Sequence, residues 1–328
     1  MRAYVCRRYG GPEVVELVDV PMPVPKSNEV LIRIHATTVS SGDWRVRTLE
    51  VPRGFGLAAR LALGVRGPRQ PILGTELSGM VESVGAGVTR FKAGDAVIAF
   101  PGVRMGCHAE YQTVAEDGPI ALMPENLSFD EAATLMFGGS TALDFLRRGT
   151  LARGDDLLVI GASGAVGTAM VQLGRHFGAR VTGVTSTANM ELVRGLGADA
   201  VIDYTKDDFT RRAEKYDVIA DTVGATSYLR CRHTLEANGR LMPIAGGVPD
   251  LLSALWVPMT GKRRVIAGPA AEKPAYIAQL AELARSGAIR PVIDRRYTFD
   301  QMADAHAYVA TGRKRGSAVV QVATEATS

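Results

Sequence analysis

Residues 155–186 read DDLLVIGASGAVGTAMVQLGRHFGARVTGVTS. Leu157–Ile160 is a short apolar run, the pattern of a parallel strand buried on both faces. Gly161, Gly164 and Gly167 follow with the spacing G-x-x-G-x-x-G. Ala165–Phe177 then carries Val166, Met170, Leu173 and Phe177 at helical spacing. Gly178 ends that helix, and Arg180–Val184 reads as the next strand. A strand, a glycine turn and a helix in this order are what a dinucleotide pyrophosphate requires. The glycines let the main chain approach the phosphates, and the helix N-terminus offers free N–H groups and partial positive charge. Gly161, Ser163, Gly164, Ala165, Val166 and Gly167 are therefore expected to bind the cofactor.

The 328 residues suggest two domains. A hydrophobic content of 46% and a charged content of 22% fit a globular protein that dissolves in water. The net charge of +4 comes without a basic tract, so nucleic acid is not an expected partner. Cys6, Cys107 and Cys231 lie far apart, which argues against a disulfide framework and a cysteine-rich metal site. The opening MRAYVCRRYGG has no apolar h-region, and no run of about 18 apolar residues occurs. The expectation is a reducing, cytoplasmic setting and no membrane span.

Residues 1–50 read as β-rich. Strands are expected at Arg2–Cys6, Val14–Val18 and Glu29–Ala36, the last alternating apolar and polar. Residues 51–70 contain Arg53, Arg60, Arg66 and Arg69 and no acid, with a short helix predicted over Phe55–Leu63. They read either as a solvated excursion or as a lid. Further short strands with glycine turns, through Val114, predict a β-barrel-like domain. Ser128 and Glu131 form a capping box for a helix at Phe129–Leu135, which Gly138-Gly139-Ser140 is expected to break before Thr141–Arg148 resumes it. Beyond the opening stretch, strands at Ala200–Asp203, Tyr216–Thr222 and Gly239–Ile244 alternate with helices, among them Tyr228–Leu235. That alternation predicts a doubly wound parallel sheet. The last strands, at 289–298 and 318–322, are expected to return to the first domain.

The order of motifs is specific. GDW at 42–44, ILGTELSGMVESVG, FKAGDAV, AEY, the glycine unit, LGADAVIDY and GAIRPVIDRRYTFDQMADAHAYV occur in sequence. Over nearly its whole length the chain resembles the medium-chain dehydrogenase/reductase superfamily, and within it the zinc-free quinone oxidoreductase-like branch. The resemblance implies an α/β protein with a GroES-like β-rich catalytic domain, residues 1–125 and 269–328, around a Rossmann domain at 126–268. It also implies a homodimer.

In zinc-dependent relatives, three protein ligands hold a Lewis-acid metal. The positions matching them here are Ser40, Thr75 and Phe137, which do not make a zinc site, and the lobe with four cysteines is absent. No metal is expected, and neighbouring Cys107 and His108 have no further ligand near in sequence. Without a metal, a conjugated acceptor is the accessible substrate, because its charge delocalises onto an oxygen that hydrogen-bond donors hold. Relatives carry Asn and Tyr where this chain has Ser40 and Arg45. Ser40, Arg45 and Arg47 are candidate donors, the arginines with surface salt-bridging as the alternative, and Thr75 is a further candidate catalytic residue in the same metal-less cleft. Asp43 has two readings, a turn cap or a part in the chemistry.

Residues 184–189, where an NAD-binding unit places an acid, contain none. Thr185, Ser186, Thr187 and Asn189 suit a 2′-phosphate, so NADPH is the expected cofactor, with NADH possible. By resemblance Tyr204 lies near the adenosine phosphate and Thr141 near the nicotinamide. Thr222, Val223, Ala245, Gly246 and Gly247 follow strand ends, where ligands sit in such sheets. The expected activity is NADPH-dependent reduction of a small-molecule quinone or α,β-unsaturated carbonyl. The alternatives are a polyketide-type enoyl reductase, a metal-free aldehyde or alcohol oxidoreductase, and a crystallin-like or regulatory protein that binds NADPH without turnover.

Overall fold

The structure is a computed structural model that describes residues 1–52 and 54–323; Arg53 lies outside the described residues. In chain order the strands are β1 Arg2–Cys6, β2 Val15–Asp19, β3 Glu29–Val39, β4 Leu77–Val84, β5 Ala96–Ala99, β6 Tyr111–Ala115, β7 Ile120–Leu122, β8 Asp156–Ile160, β9 Arg180–Thr185, β10 Ala200–Asp203, β11 Tyr216–Asp221, β12 Leu235–Pro243, β13 Arg264–Val265, β14 Ile293–Thr298 and β15 Ser317–Gln321. The helices are α1 Ser41–Thr48, α2 Gly56–Leu63, α3 Phe129–Ala132, α4 Met136–Arg148, α5 Ala165–His176, α6 Met190–Gly195, α7 Tyr228–Cys231, α8 Val248–Trp256, α9 Pro274–Arg285 and α10 Met302–Ala310.

The chain divides into two units. The first comprises Met1–Val51, Gly56–Ser140 and Glu272–Ser328; the second comprises Pro52–Phe55 and Thr141–Ala271. In the first, the sheet runs β14-β15-β3-β4-β5-β7, with β6 also on β3. The long β3 makes this possible. Glu29–Arg33 pairs with β6, Ala36–Val39 pairs with β15, and two register shifts against β4 bend the strand between them. Val30, Ile32 and Ile34 alternate inward into a core shared with Leu77, Val97, Met302 and Val320. The C-terminal strands thus complete the first sheet, as expected.

In the second unit six parallel strands run β10-β9-β8-β11-β12-β13. The order reverses between β8 and β11, which makes their carboxyl ends the switch point where such sheets bind ligands. Leu158, Ile160, Ile219 and Leu241 are buried at its centre.

Three local expectations need correction. Ser41–Thr48 is a helix within the stretch 1–50 that reads as β-rich, because Ser40 and Asp43 form a capping box at its start. Gly138-Gly139-Ser140 does not break α4. The interruption falls earlier, at 133–135, and Gly139 is instead a packing glycine: a Cβ there would lie 2.9 Å from Leu280 of α9. Residues Tyr228–Leu235 are helical only to Cys231, and Leu235 already belongs to β12, whose start was expected at Gly239.

Candidate active site

The glycine turn of the second unit has the geometry its sequence predicts. Gly161 adopts a left-handed φ of 78°, open to glycine at little cost. A Cβ on Gly167 would sit 2.1 Å from the Gly161 carbonyl oxygen, so only glycine lets α5 pack this closely on the turn. Gly164 differs. A Cβ there would meet only that same oxygen, at 3.6 Å, which leaves open space beside the N-terminus of α5. No side chain caps that terminus. Ala165, Val166 and Gly167 occupy its first turn, an uncapped N-terminus suited to phosphate.

The residues at the ends of neighbouring strands converge on this turn. Thr185 donates to the Ser163 hydroxyl at 3.0 Å, and the Asn189 amide donates to Ser163 at 3.2 Å and to Ser186 at 3.3 Å. Thr222 donates to the Ile160 carbonyl at 2.9 Å, across the switch point. Buried Asp221 organises the next loop by accepting from the N–H groups of Val223, Gly224 and Thr226, which leaves Val223 58% exposed. Gly246 and Gly247 close a turn, the Gly247 N–H donating to Asp250 at 2.9 Å, and Ala245 precedes them after β12. Tyr204 follows β10 and is 64% exposed. Thr141 is half-buried in α4. Sequence reasoning missed Asp203. Its carboxylate is covered by the Thr187 and Thr205 hydroxyls and the Thr205 N–H, with the Lys206 ammonium 3.8 Å away. These contacts hold its pKa below the usual carboxylate value, the Thr187 hydrogen bond first. The IDY motif contained that signal.

In the first unit a buried polar cluster surrounds the end of β3 and the start of β4. Asp43 accepts from the Ser40 N–H at 2.7 Å, the Ser40 hydroxyl at 2.6 Å and the Gly74 N–H at 2.8 Å. Ser40 itself accepts from Gly42 and Asp43 N–H. Both side chains are thus committed to fixing α1 against the Gly74 turn. Arg47 does not make a surface salt bridge; it is 1% exposed and donates to the Gly10 carbonyl at 2.7 Å. Thr75 is buried, and its hydroxyl has no partner among the described residues.

Glu76, the acid beside Thr75, is not among the site residues expected from the sequence. It accepts from the Thr38 hydroxyl and from the N–H groups of Met136 at 3.1 Å and Phe137 at 2.7 Å, so it caps α4 from the residue just before β4. Burial pushes its pKa up to about 7, outweighing the Thr38 and Phe137 hydrogen bonds that favour the anion. Lys314 feels the same interior. Burial lowers its pKa to about 8 against the opposing pull of Glu76, Asp294 and Asp43. His108 binds the Thr38 carbonyl through Nε2 at 3.0 Å and stands edge-on to His306, with the ring centroids 5.3 Å apart. Burial holds both imidazoles neutral, His306 well below its usual pKa.

Comparison with known proteins agrees with this architecture. The family described as alcohol dehydrogenase GroES-like domain matches residues 26–125, and the one described as zinc-binding dehydrogenase matches 196–320. A 2-methylene-furan-3-one reductase from Solanum lycopersicum is 33% identical over 98% of this chain and 79% of its own. The chain belongs to the medium-chain dehydrogenase/reductase superfamily, in its quinone-oxidoreductase-like branch. It is an oxidoreductase. An NADPH-dependent alkenal/one oxidoreductase, chloroplastic, from Arabidopsis thaliana is 30% identical over the same shares of each chain. The quinone oxidoreductase from Coxiella burnetii superposes with a TM-score of 0.86 at 27% identity, covering 98% of this chain and 99% of that one. No helix among the described residues is long and apolar enough to cross a membrane.

A zinc ion, which one family description implies, does not fit the donors present. Ser40 is bound to Asp43, both Glu76 oxygens are engaged, and Thr75 and Phe137 bring no charge. Among the described residues no three His, Cys, Asp or Glu side chains are grouped to hold a metal.

Proposed function

We propose that this chain is an NADPH-dependent reductase of α,β-unsaturated carbonyls or quinones that works without a metal. The observation that carries the reading is the Thr75 hydroxyl. It is buried, without a partner among the described residues, and placed where a zinc-dependent relative has a metal ligand, beside Ser40, Asp43 and Glu76, whose side chains are engaged.

The second unit fits the cofactor. Gly161–Gly167 and the uncapped N-terminus of α5 hold the pyrophosphate. Ser186, Asn189 and Tyr204 hold the adenosine 2′-phosphate, and the hydroxyls over Asp203 shield the one acid beside them. Bound NADPH supplies hydride. Thr75 donates to the acceptor oxygen, where charge accumulates as the conjugated system is reduced, and Ser40 and Asp43 hold the surrounding turn rigid. The protein thereby stabilises a delocalised oxyanion with a neutral donor, which suits an enone or quinone better than an isolated ketone. The names of the tomato, Arabidopsis and Coxiella relatives support the same substrate class.

The test is NADPH oxidation followed at its absorbance band with quinones, acyclic and exocyclic enones, and saturated aldehydes in parallel. Turnover of the conjugated acceptors is expected. Faster turnover of saturated aldehydes, or tight NADPH binding with no oxidation by any acceptor, overturns the reading.

A further inference from the structure

Helix α1 divides its side chains unequally. Asp43 and Arg47, four residues apart, point inward. Trp44 and Val46 pack on the core of the first unit. Gly42 and Arg45, three residues apart, share another face. A Cβ on Gly42 would lie 3.3 Å from the Phe137 ring, so this face turns toward the start of α4, where Glu76 binds the Phe137 N–H. Arg45 lies one turn further along it.

Arg45 is half-buried, and no hydrogen-bond acceptor or carboxylate meets it among the described residues. Several other basic side chains of the unit are paired. Arg2 binds Glu110 at 2.8 Å, Arg296 binds Asp130 at 2.7 Å and Arg315 binds Asp294 at 3.4 Å. Arg47 has the Gly10 carbonyl, and Lys314 has Gly316 O at 2.6 Å and the field of Glu76, Asp43 and Asp294. No acid offsets the burial of Arg45, which alone pulls its pKa below the usual arginine value. A guanidinium that is half-buried and has no carboxylate against it keeps its donors available to a ligand. Its planar fork of donors matches a carboxylate in two parallel hydrogen bonds.

Building on the reductase reading, we infer that Arg45 binds a carboxylate carried by the acceptor, so that the preferred substrates are conjugated oxo acids. Thr75 serves the carbonyl oxygen; Arg45 serves the distant anionic end and fixes which way the acceptor enters.

The experiment pairs an acid with its ester. Binding of 4-oxopentanoate and of methyl 4-oxopentanoate is measured by calorimetry with NADP⁺ present, for the unaltered chain, Arg45→Gln and Arg45→Lys. The unaltered chain is expected to bind the acid more tightly, by about 30-fold, the scale of a hydrogen bond to a charged group. Arg45→Gln should erase that ratio and Arg45→Lys should keep part of it, with thermal melts confirming that each variant folds. Equal binding of acid and ester by the unaltered chain overturns the inference. So does an equal loss for both in Arg45→Gln, which assigns the guanidinium to the carbonyl oxygen. Acid selectivity that depends on Arg45, in a protein that oxidises NADPH with no acceptor, supports this inference and overturns the reductase reading.

Discussion

The Glu76 carboxylate accepts a hydrogen bond from the Phe137 N–H at 2.7 Å, so the residue just before β4 caps a helix that begins 60 positions later in the chain. This contact ties β4 to α4 beneath Thr75. Glu76→Ala leaves the Met136 and Phe137 N–H groups and the Thr38 hydroxyl without their acceptor, and should cost about 3 kcal/mol or more by urea denaturation. The pH dependence has a definite sign. With a folded pKa near 7 against 4.5 unfolded, the native state holds more protons between those values. The contribution of Glu76 is therefore full below about pH 4.5 and falls as pH rises toward 7, by about 3 kcal/mol over the interval. Glu76→Gln should remove that slope from a stability profile; an unchanged slope counts against the shift.

His306 acts in the opposite sense. Neither ring nitrogen has a partner among the described residues, and its pKa is held far below that of the free imidazole by burial first and by His108 and Arg47 next. Its neutral form is compatible with the fold above about pH 6.5, and stability is lost as the unfolded state takes up the proton below that value. His306→Leu should raise the urea midpoint at pH 5 relative to the parent and change it little at pH 8. A matched loss at both values would show that the imidazole has an unseen structural partner.

Thr75→Val keeps the shape and removes the donor. Because the hydroxyl has no partner among the described residues, the melting temperature should stay close to that of the parent. The kcat for an enone should fall by about 100-fold, the usual scale for loss of one oxyanion donor, with the KM for NADPH unaffected. Full activity in this variant would remove Thr75 from the chemistry.

The two turn glycines should separate folding from binding. Gly167→Ala places a methyl 2.1 Å from a carbonyl oxygen and should lower both stability and NADPH affinity. Gly164→Ala meets open space, so it should leave the melt nearly intact while weakening NADPH by about tenfold, read from nucleotide fluorescence. Equal affinity in Gly164→Ala would place the pyrophosphate elsewhere.

Asn189→Lys probes the phosphate. The present amide is tied to Ser163 and Ser186. An ammonium there should raise the preference for NADPH over NADH by about fivefold in kcat/KM, the upper scale of one added ion pair in a partly exposed site. An unchanged preference would displace the 2′-phosphate from this loop.

Legibility differed between the two units. The glycine turn, the strands beside it and Thr185–Asn189 could be read because they are close in sequence and their spacing is fixed by backbone geometry. Asp203 was missed because it reaches Thr187 only through the pairing of β10 with β9. Gly138-Gly139-Ser140 misled because glycine weakens an isolated helix, yet here Leu280 fills the space beside Gly139 and Glu76 caps the start.

By itself the sequence determined the alternation that makes a parallel sheet, the glycine turn between its strand and helix, and the residue types at 40, 75 and 137. Those depend on local period and residue chemistry. Only the tertiary structure decided which polar groups remain available. Ser40 and Asp43 satisfy each other and Gly74, Arg47 is taken by Gly10, and Thr75 and Arg45 are left without partners among the described residues. Whether a donor is free depends on what the folded chain places against it, and those partners come from 37 positions away for Arg47 and 31 for Asp43. No spacing rule spans such distances; the packing of β3, β4 and α1 does.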